Sequence, residues 1–85
     1  MYLATIIITR RPSILDPEGK AVEHALSLHH GDLFRDVRFG KYITLHVKAD
    51  SEEAATAAVR QACESLLANA VMEDFTFTLQ PVPAS

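Results

Sequence analysis

The side chains with the widest chemical range in this 85-residue chain are four histidines and one cysteine. A zinc site needs several imidazole or thiolate ligands at compatible spacing, and a nucleophilic cysteine needs a thiolate supported by a neighbouring base or cation. His29 and His30 are adjacent in a predicted helix and point in different directions, and His24 and His46 complete no metal-site spacing. Cys63 falls on the predicted buried stripe of a helix, which favours a small hydrophobic role. These residues predict neither a metal site nor a catalytic nucleophile.

Two acidic pairs are the remaining candidates for catalysis, because neighbouring carboxylates can act as general acid and base. Glu52 and Glu53 fall in the first turn of a predicted helix, where the helix dipole accounts for negative charge. Glu73 and Asp74 begin a predicted strand, where adjacent side chains point to opposite faces. Neither pair predicts acid–base catalysis, so we expect no catalytic residue in this chain.

Nucleic acid is not a predicted partner. The net charge is −3 and the sequence pI is about 5.7, whereas phosphate binding needs clustered Lys and Arg. The segment 40–45 faintly resembles the third-strand motif of RNA-recognition domains, but it supplies only Tyr42 where several stacked aromatics are needed. The residues alone indicate a small binding or assembly module and leave its ligand open.

The length of the chain supports one domain, placed at residues 1–80, with a loosely ordered tail at 81–85. A single cysteine excludes an internal disulfide and fits a reducing cytosol. No apolar run approaches the ~20 residues that span a bilayer, and the N-terminus lacks the pattern of a signal peptide. These features predict a cytoplasmic protein without membrane contact.

Hydrophobic periodicity predicts six elements in the order strand, helix, strand, strand, helix, strand. This is the order of the ferredoxin-like fold, an α+β two-layer βαββαβ domain with two helices on one face of an antiparallel sheet. The predicted elements are a central strand Tyr2–Arg10, a helix from Pro17 to about His29, a strand Leu33–Phe39, a hairpin turn at Gly40 and Lys41, a strand Tyr42–Ala49, a helix ending near Ala68, and a strand Val71–Gln80.

The first helix has a clear start signal. Asp16 is the predicted N-cap, and Pro17 occupies the first helical position. Gly19 fits less well, because Gly in a helix costs roughly 0.5–1 kcal/mol relative to Ala. We expect either a close backbone approach or a bare surface there. Gly31 is the predicted positive-φ residue beyond the end of the helix. The predicted apolar stripe consists of Ala21, Val22, Ala25, Leu26 and His29.

The second helix is predicted to begin at Asp50, an N-cap at capping-box spacing from Glu53. Its buried stripe is rich in alanine, which would let the helix lie close to the sheet. That predicted stripe consists of Ala55, Ala58, Val59, Ala62, Cys63 and Leu66.

Two helices on one face would leave the other face of the sheet open. Leu3, Ile7 and Tyr42 lie on that face among threonines that include Thr44. Contiguous exposed apolar surface marks interaction sites. We therefore predict that another copy of the chain covers this face or a neighbouring edge, in a homodimer or a homotetramer.

Three stretches together resemble the PurS family over nearly the whole chain. The segment 15–26 resembles its first-helix signature, 37–43 its central hairpin, and 66–75 its passage from the second helix to the last strand. Two departures lie in connections. Ala70 stands where the family usually has Pro, and Ser13 stands where it often has Gly.

The resemblance implies a non-catalytic small subunit of phosphoribosylformylglycinamidine (FGAM) synthase, in de novo purine biosynthesis. In such systems a glutaminase subunit releases ammonia from glutamine, and a large synthetase subunit uses ATP and Mg to convert an amide into an amidine. The small subunit, as a dimer, would bridge the two and help to shield the ammonia, with no cofactor of its own.

Exposed arginines and bare glycines suit docking of those partners. The expected docking residues lie at the end of the first strand, the helix entrance and the hairpin tip: Arg10, Arg11, Asp16, Gly19, Lys20, Arg38, Gly40 and Lys41. The alternative is a regulatory module that binds a small ligand such as an amino acid, in the manner of ACT domains, which share the element order.

Overall fold

The chain forms a three-stranded antiparallel sheet with α-helical connections, in a computed structural model that describes residues 1–83. The elements are β1 (Tyr2–Arg10), α1 (Pro17–His30), β2 (Gly40–Val47), α2 (Glu52–Ala62), a π-helical turn (Cys63–Leu67) and β3 (Glu73–Pro81). β1 lies between β2 and β3 and pairs antiparallel with both. The predicted α+β class and the central position of the first strand are confirmed.

The core lies between α2 and one face of the sheet. Ala4, Ile6 and Ile8 alternate along β1 and are fully buried on this face. Val59 and Cys63, one helical turn apart, are buried against them. Flanking the core on the outer strands and the π-helical turn are half-buried side chains: Ile43, Leu45, Val47, Leu67, Phe75, Phe77 and Leu79.

The start of α2 differs by one residue from the prediction. Ser51, not Asp50, is the N-cap: its backbone is extended and its Oγ accepts a hydrogen bond from the Ala54 N–H at 3.1 Å. Serine and aspartate are comparable N-caps, so residue type alone does not choose between neighbours.

The end of the second helix also differs. Instead of continuing to Ala68 as an α-helix, the chain forms a π-helical turn, in which the Ala68 N–H donates to the Cys63 carbonyl. The wider turn rotates the following side chains. Leu67 is therefore half-buried against the core, whereas Leu66, which the α-helical pattern placed inside, is 83% exposed.

The predicted strand Leu33–Phe39 is wrong, because the residues between α1 and β2 form an irregular connection. Asp36 has a φ of +55°, which interrupts an extended strand. Side chains from the α1 region, rather than another strand, accept hydrogen bonds from the Val37 and Phe39 N–H groups. Gly40 and Lys41 therefore form no hairpin turn. They begin β2.

The predicted placement of both helices on one face is also wrong in part. α2 packs on all three strands, but within residues 1–83 α1 makes no extended contact with the sheet or with α2. α1 adds to a long, thin shape of 51 × 27 × 14 Å. It ends as predicted, with Gly31 at a φ of 64°.

The last strand begins at Glu73, two residues later than predicted, and includes Pro81. Beyond it, the Val82 N–H donates to the Met1 carbonyl at 2.9 Å. The tail was predicted for residues 81–85, and its last two residues, 84 and 85, lie outside the described residues.

Candidate docking surfaces

The predicted N-cap of α1 is present and serves a second purpose. Asp16 is buried, and its Oδ1 accepts a hydrogen bond from the Gly19 N–H at 3.0 Å. Its Oδ2 accepts from the Phe39 N–H at 2.6 Å, which ties the start of α1 to the residue before β2. These bonds, that from Phe39 foremost, hold the pKa of the Asp16 carboxyl below its ordinary value, and the charges of Arg10 and Arg38 act in the same direction.

Arg38 makes the reciprocal connection. Its Nη2 donates to the carbonyl oxygens of Arg11 at 2.8 Å and Ile14 at 2.9 Å. The segment between β1 and α1 is thus bonded through Asp16 to the segment between α1 and β2, and this second segment is bonded back to the first through Arg38. We call the Asp16–Phe39, Arg38–Arg11 and Arg38–Ile14 hydrogen bonds the clasp.

Two glycines leave room for close backbone approach. Gly19 is buried, and a Cβ there would overlap the carbonyl oxygen of Val37 and lie 2.9 Å from Asp16 Oδ2. A Cβ at Gly40 would lie 2.5 Å from the carbonyl oxygen of Ile8. Both glycines, which the sequence offered as bare docking surface, therefore have a packing role within the chain.

Four of the predicted docking residues line one small cavity at the end of the sheet. Arg10, Asp16, Gly40 and Lys41 surround a volume of about 120 Å³. Glu73 completes the ring of charge, with its Oε2 at 3.5 Å from the Lys41 Nζ. Positive and negative groups both line this cavity, so it suits a protein surface of mixed charge better than an anion.

Hydrogen bonds at the same end of the sheet stabilise the turn before β3. Glu73 Oε1 accepts from the Asn69 N–H at 2.8 Å. That bond, followed by Lys41, holds the pKa of the Glu73 carboxyl below its ordinary value despite opposing desolvation. Arg11 donates to the Ala70 carbonyl at 2.6 Å and lies 3.4 Å from Asp74.

Lys20 is separate from this group. Its exposed side chain lines a groove between α1 and the connection that follows it, and it forms no ion pair within residues 1–83. The structure thus brings together Arg10, Asp16, Gly40 and Lys41, places Arg11 and Arg38 in internal contacts, and leaves Lys20 free. Their docking role stays a prediction.

The open face of the sheet carries the predicted oligomer residues. Ile7 lies directly opposite Tyr42 in the β1–β2 register, and they are 47% and 71% exposed. Thr44 is exposed on the same face, and Leu3 is half-buried.

A second apolar surface was missed because α1 was expected to pack on the sheet. Val22, on the predicted stripe, is exposed, and Leu28 is exposed on another side of the same helix. Leu33 and Phe34 are exposed in the connection that follows. The periodic stripe of α1 is real, but little in residues 1–83 covers it. The amphipathic pattern of α1 was the sequence signal for this apolar surface, although such a pattern does not specify the partner that covers it.

The described residues offer little for catalysis. In residues 1–83, no group of three His, Cys, Asp or Glu side chains could hold a metal ion. Cys63 is fully buried, and desolvation raises the pKa of its thiol, which disfavours the reactive thiolate. In the same residues no helix is long and apolar enough to cross a membrane.

Comparison with known proteins gives consistent matches along the chain. The family model described as "PurS: Phosphoribosylformylglycinamidine (FGAM) synthase" matches residues 3–81. The PurS subunit of phosphoribosylformylglycinamidine synthase from Bacillus subtilis is 38% identical over 84 residues, covering 99% of both chains. That from Synechocystis is 41% identical over 78 residues, covering 92% of this chain and 78% of the relative.

Solved structures agree with the sequence matches. B. subtilis PurS superposes with a TM-score of 0.84 at 38% identity, covering 95% of this chain and 100% of the other. A chain in the structure of PurLQS from Thermotoga maritima superposes with a TM-score of 0.82 at 32% identity, covering 94% and 99% of the two chains.

Proposed function

The chain belongs to the PurS family of FGAM synthase proteins, and we propose that it is the non-catalytic small subunit that bridges a glutaminase and an ATP-dependent synthetase. In this role it helps ammonia to pass from glutamine hydrolysis to amidine formation. The complex would use ATP, Mg and glutamine, and this chain would bind none of them itself. The T. maritima PurLQS structure, which contains a chain of the same fold, supports the assignment to such a complex.

The observation that carries the assembly role is the position of α1. Its apolar stripe lies away from the sheet and is poorly covered within residues 1–83. Burying a Val or Leu side chain yields about 1.5–3 kcal/mol, so a helix presented in this way favours assembly. Two surfaces remain available, the α1 stripe and the open face of the sheet.

We assign the contact between copies to one or both of these apolar surfaces. Val22→Asp tests the α1 stripe, and Ile7→Asp tests the open face of the sheet. Sedimentation equilibrium should show a homo-oligomer for the wild type and a loss of self-association in at least one variant. A wild-type monomer at micromolar concentration, or undiminished association in both variants, would refute the assignment.

The heterologous contacts are assigned to the charged end of the molecule and to Lys20. Lys20→Glu and Lys41→Glu should each weaken co-elution with the glutaminase and the synthetase in the presence of glutamine and Mg-ADP. Lys41→Glu also replaces the ion pair with the largely buried Glu73 by two facing carboxylates, so its co-elution is interpreted only where its circular dichroism matches that of the wild type. Lys20→Glu breaks no ion pair within residues 1–83 and tests docking without this complication.

Lys48→Glu is the matched control, because Lys48 is exposed just beyond the opposite end of β2 and carries the same charge change. Wild-type co-elution of both test variants would remove these residues from the docking surface. Failure of the wild-type chain to join either partner would refute the bridging function itself. A saturable calorimetric signal with an amino acid or a purine intermediate would instead support the ligand-binding alternative.

A further inference from the structure

The orientation of α1 rests on very few contacts. α1 has no extended contact with the sheet or α2 in the described part of the chain, so packing does not fix its direction. Its two connections to the sheet run side by side, and the clasp joins them. The remaining links, from Glu23 to the Val37 N–H and from Gly19 to the Val37 carbonyl, join α1 to its own following connection rather than to the sheet.

We propose that the clasp, and Arg38 in particular, is a positioning device that holds α1 in the direction required for contact with a second copy of the chain. This inference rests on the proposed homo-oligomer and takes the α1 stripe, rather than the open face of the sheet alone, as the contact between copies. Arg38 is suited to the task because one guanidinium nitrogen donates to two carbonyls of the outgoing segment, those of Arg11 and Ile14. A rigid guanidinium loses little freedom for each hydrogen bond formed.

The expected consequence is a gain in affinity from preorganisation. An apolar stripe that is already aimed at its partner avoids the entropy cost of ordering the helix when it binds. Loss of the clasp should leave the stripe chemically intact while weakening self-association. A residue that only contacted the second copy would affect self-association without changing the direction of α1 within its own chain. A positioning residue changes both.

Arg38→Ala tests the proposal, with Arg35→Ala as its matched control. Arg35 lies in the same connection and has the same charge, but its one ion pair within residues 1–83 is an exposed one with Asp32 at 3.5 Å. Spin labels at exposed positions 24 on α1, away from the stripe, and 61 on α2, in a Cys63→Ala background, report the direction of α1. Excess unlabelled chain removes distances between copies.

The wild type and Arg35→Ala should give narrow distance distributions, and Arg38→Ala a broad one at unchanged helical circular dichroism. Sedimentation should show self-association of Arg38→Ala weakened by about tenfold or more, equivalent to about 1.4 kcal/mol. Arg38→Lys should restore part of both readouts, because its ammonium can still donate to carbonyl oxygens but lies on a flexible stem without the rigid guanidinium fork.

A narrow distribution in Arg38→Ala would overturn the positioning role. Wild-type self-association in Arg38→Ala would overturn the link to assembly, even with a broad distribution. A wild type that never self-associates would instead refute the proposed homo-oligomer and with it the assembly role, while the distance measurement still decides whether the clasp orients α1.

Discussion

Replacement of Gly19 by alanine tests the packing at the start of α1, because the new Cβ raises helix propensity but also overlaps a neighbouring backbone atom. Alanine is the better helix former by up to about 1 kcal/mol, so a free helix would gain stability. In the folded chain the new Cβ would overlap the Val37 carbonyl oxygen and lie 3.0 Å from the carbonyl carbon. Both are backbone atoms that cannot rotate away.

The magnitude follows from comparing the two effects. Forcing an extra methyl group into packed structure costs typically about 1–3 kcal/mol. Because the overlap is with backbone atoms, the upper part of this range, about 2–3 kcal/mol, applies. After about 1 kcal/mol of helix propensity is subtracted, we expect a net loss of about 1–2 kcal/mol in the free energy of unfolding. With a urea m-value of about 1 kcal/mol/M for a small chain, the midpoint should fall by about 1–2 M.

Urea unfolding followed by helical circular dichroism measures this shift. His24→Ala and His24→Gly provide the calibration, because His24 is exposed on the same helix and the pair reports the propensity difference without a clash. We expect His24→Gly to be less stable than His24→Ala by up to about 1 kcal/mol. A Gly19→Ala midpoint at or above that of the wild type would refute the close-approach reasoning.

Three further predictions concern the sheet, the core and α1. Glu73→Gln should destabilise the fold at neutral pH, because the lowered carboxyl pKa reflects bonds made by the charged form. The loss in free energy of unfolding relative to the wild type should be fully present above the ordinary pKa of 4.5 and should vanish as the pH falls through the lowered pKa. Urea midpoints of both proteins across this pH range measure it. Cys63→Ala should lose about 1–2 kcal/mol because it opens a cavity in a fully buried site, and an unchanged denaturation midpoint would contradict this. Amides of α1 should exchange with solvent faster than those of α2 in dilute isolated chain, where equal protection in a mass-resolved exchange experiment would be the contrary result.

Much of the fold could be predicted from local chemistry, because its signals act over a few residues. Asp16 followed by Pro17 marks the start of α1 unambiguously, and alternation marks the buried face of the central strand. The strand predicted at 33–39 failed for a non-local reason. Its alternation fits a strand, but acceptors on Asp16 and Glu23 take up the amides that a neighbouring strand would have used.

The candidate surfaces were less predictable for related reasons. Leu66 and Leu67 are adjacent leucines, and only the switch from α-helical to π-helical hydrogen bonding decides which faces the core. Gly19 was recognised as unusual, whereas the atom that requires it, the Val37 carbonyl oxygen, lies eighteen positions further along the chain. An apolar stripe likewise indicates that a helix is covered without indicating by what.

The two halves of the structure have different sources of stability, and this difference links folding to assembly. The sheet and α2 bury a shared core, whereas α1 has 14 residues and little tertiary packing in the described chain. An isolated helix of about 12–15 residues is marginal in water, so the helical state of α1 depends on its N-cap and its close contact at Gly19, while the clasp sets its direction. Covering its stripe with a second copy would supply the packing that the single chain lacks. The apolar residues of α1 would therefore stabilise the helix and the assembly together, and substitutions that loosen the start of α1 should weaken self-association even where they touch no partner.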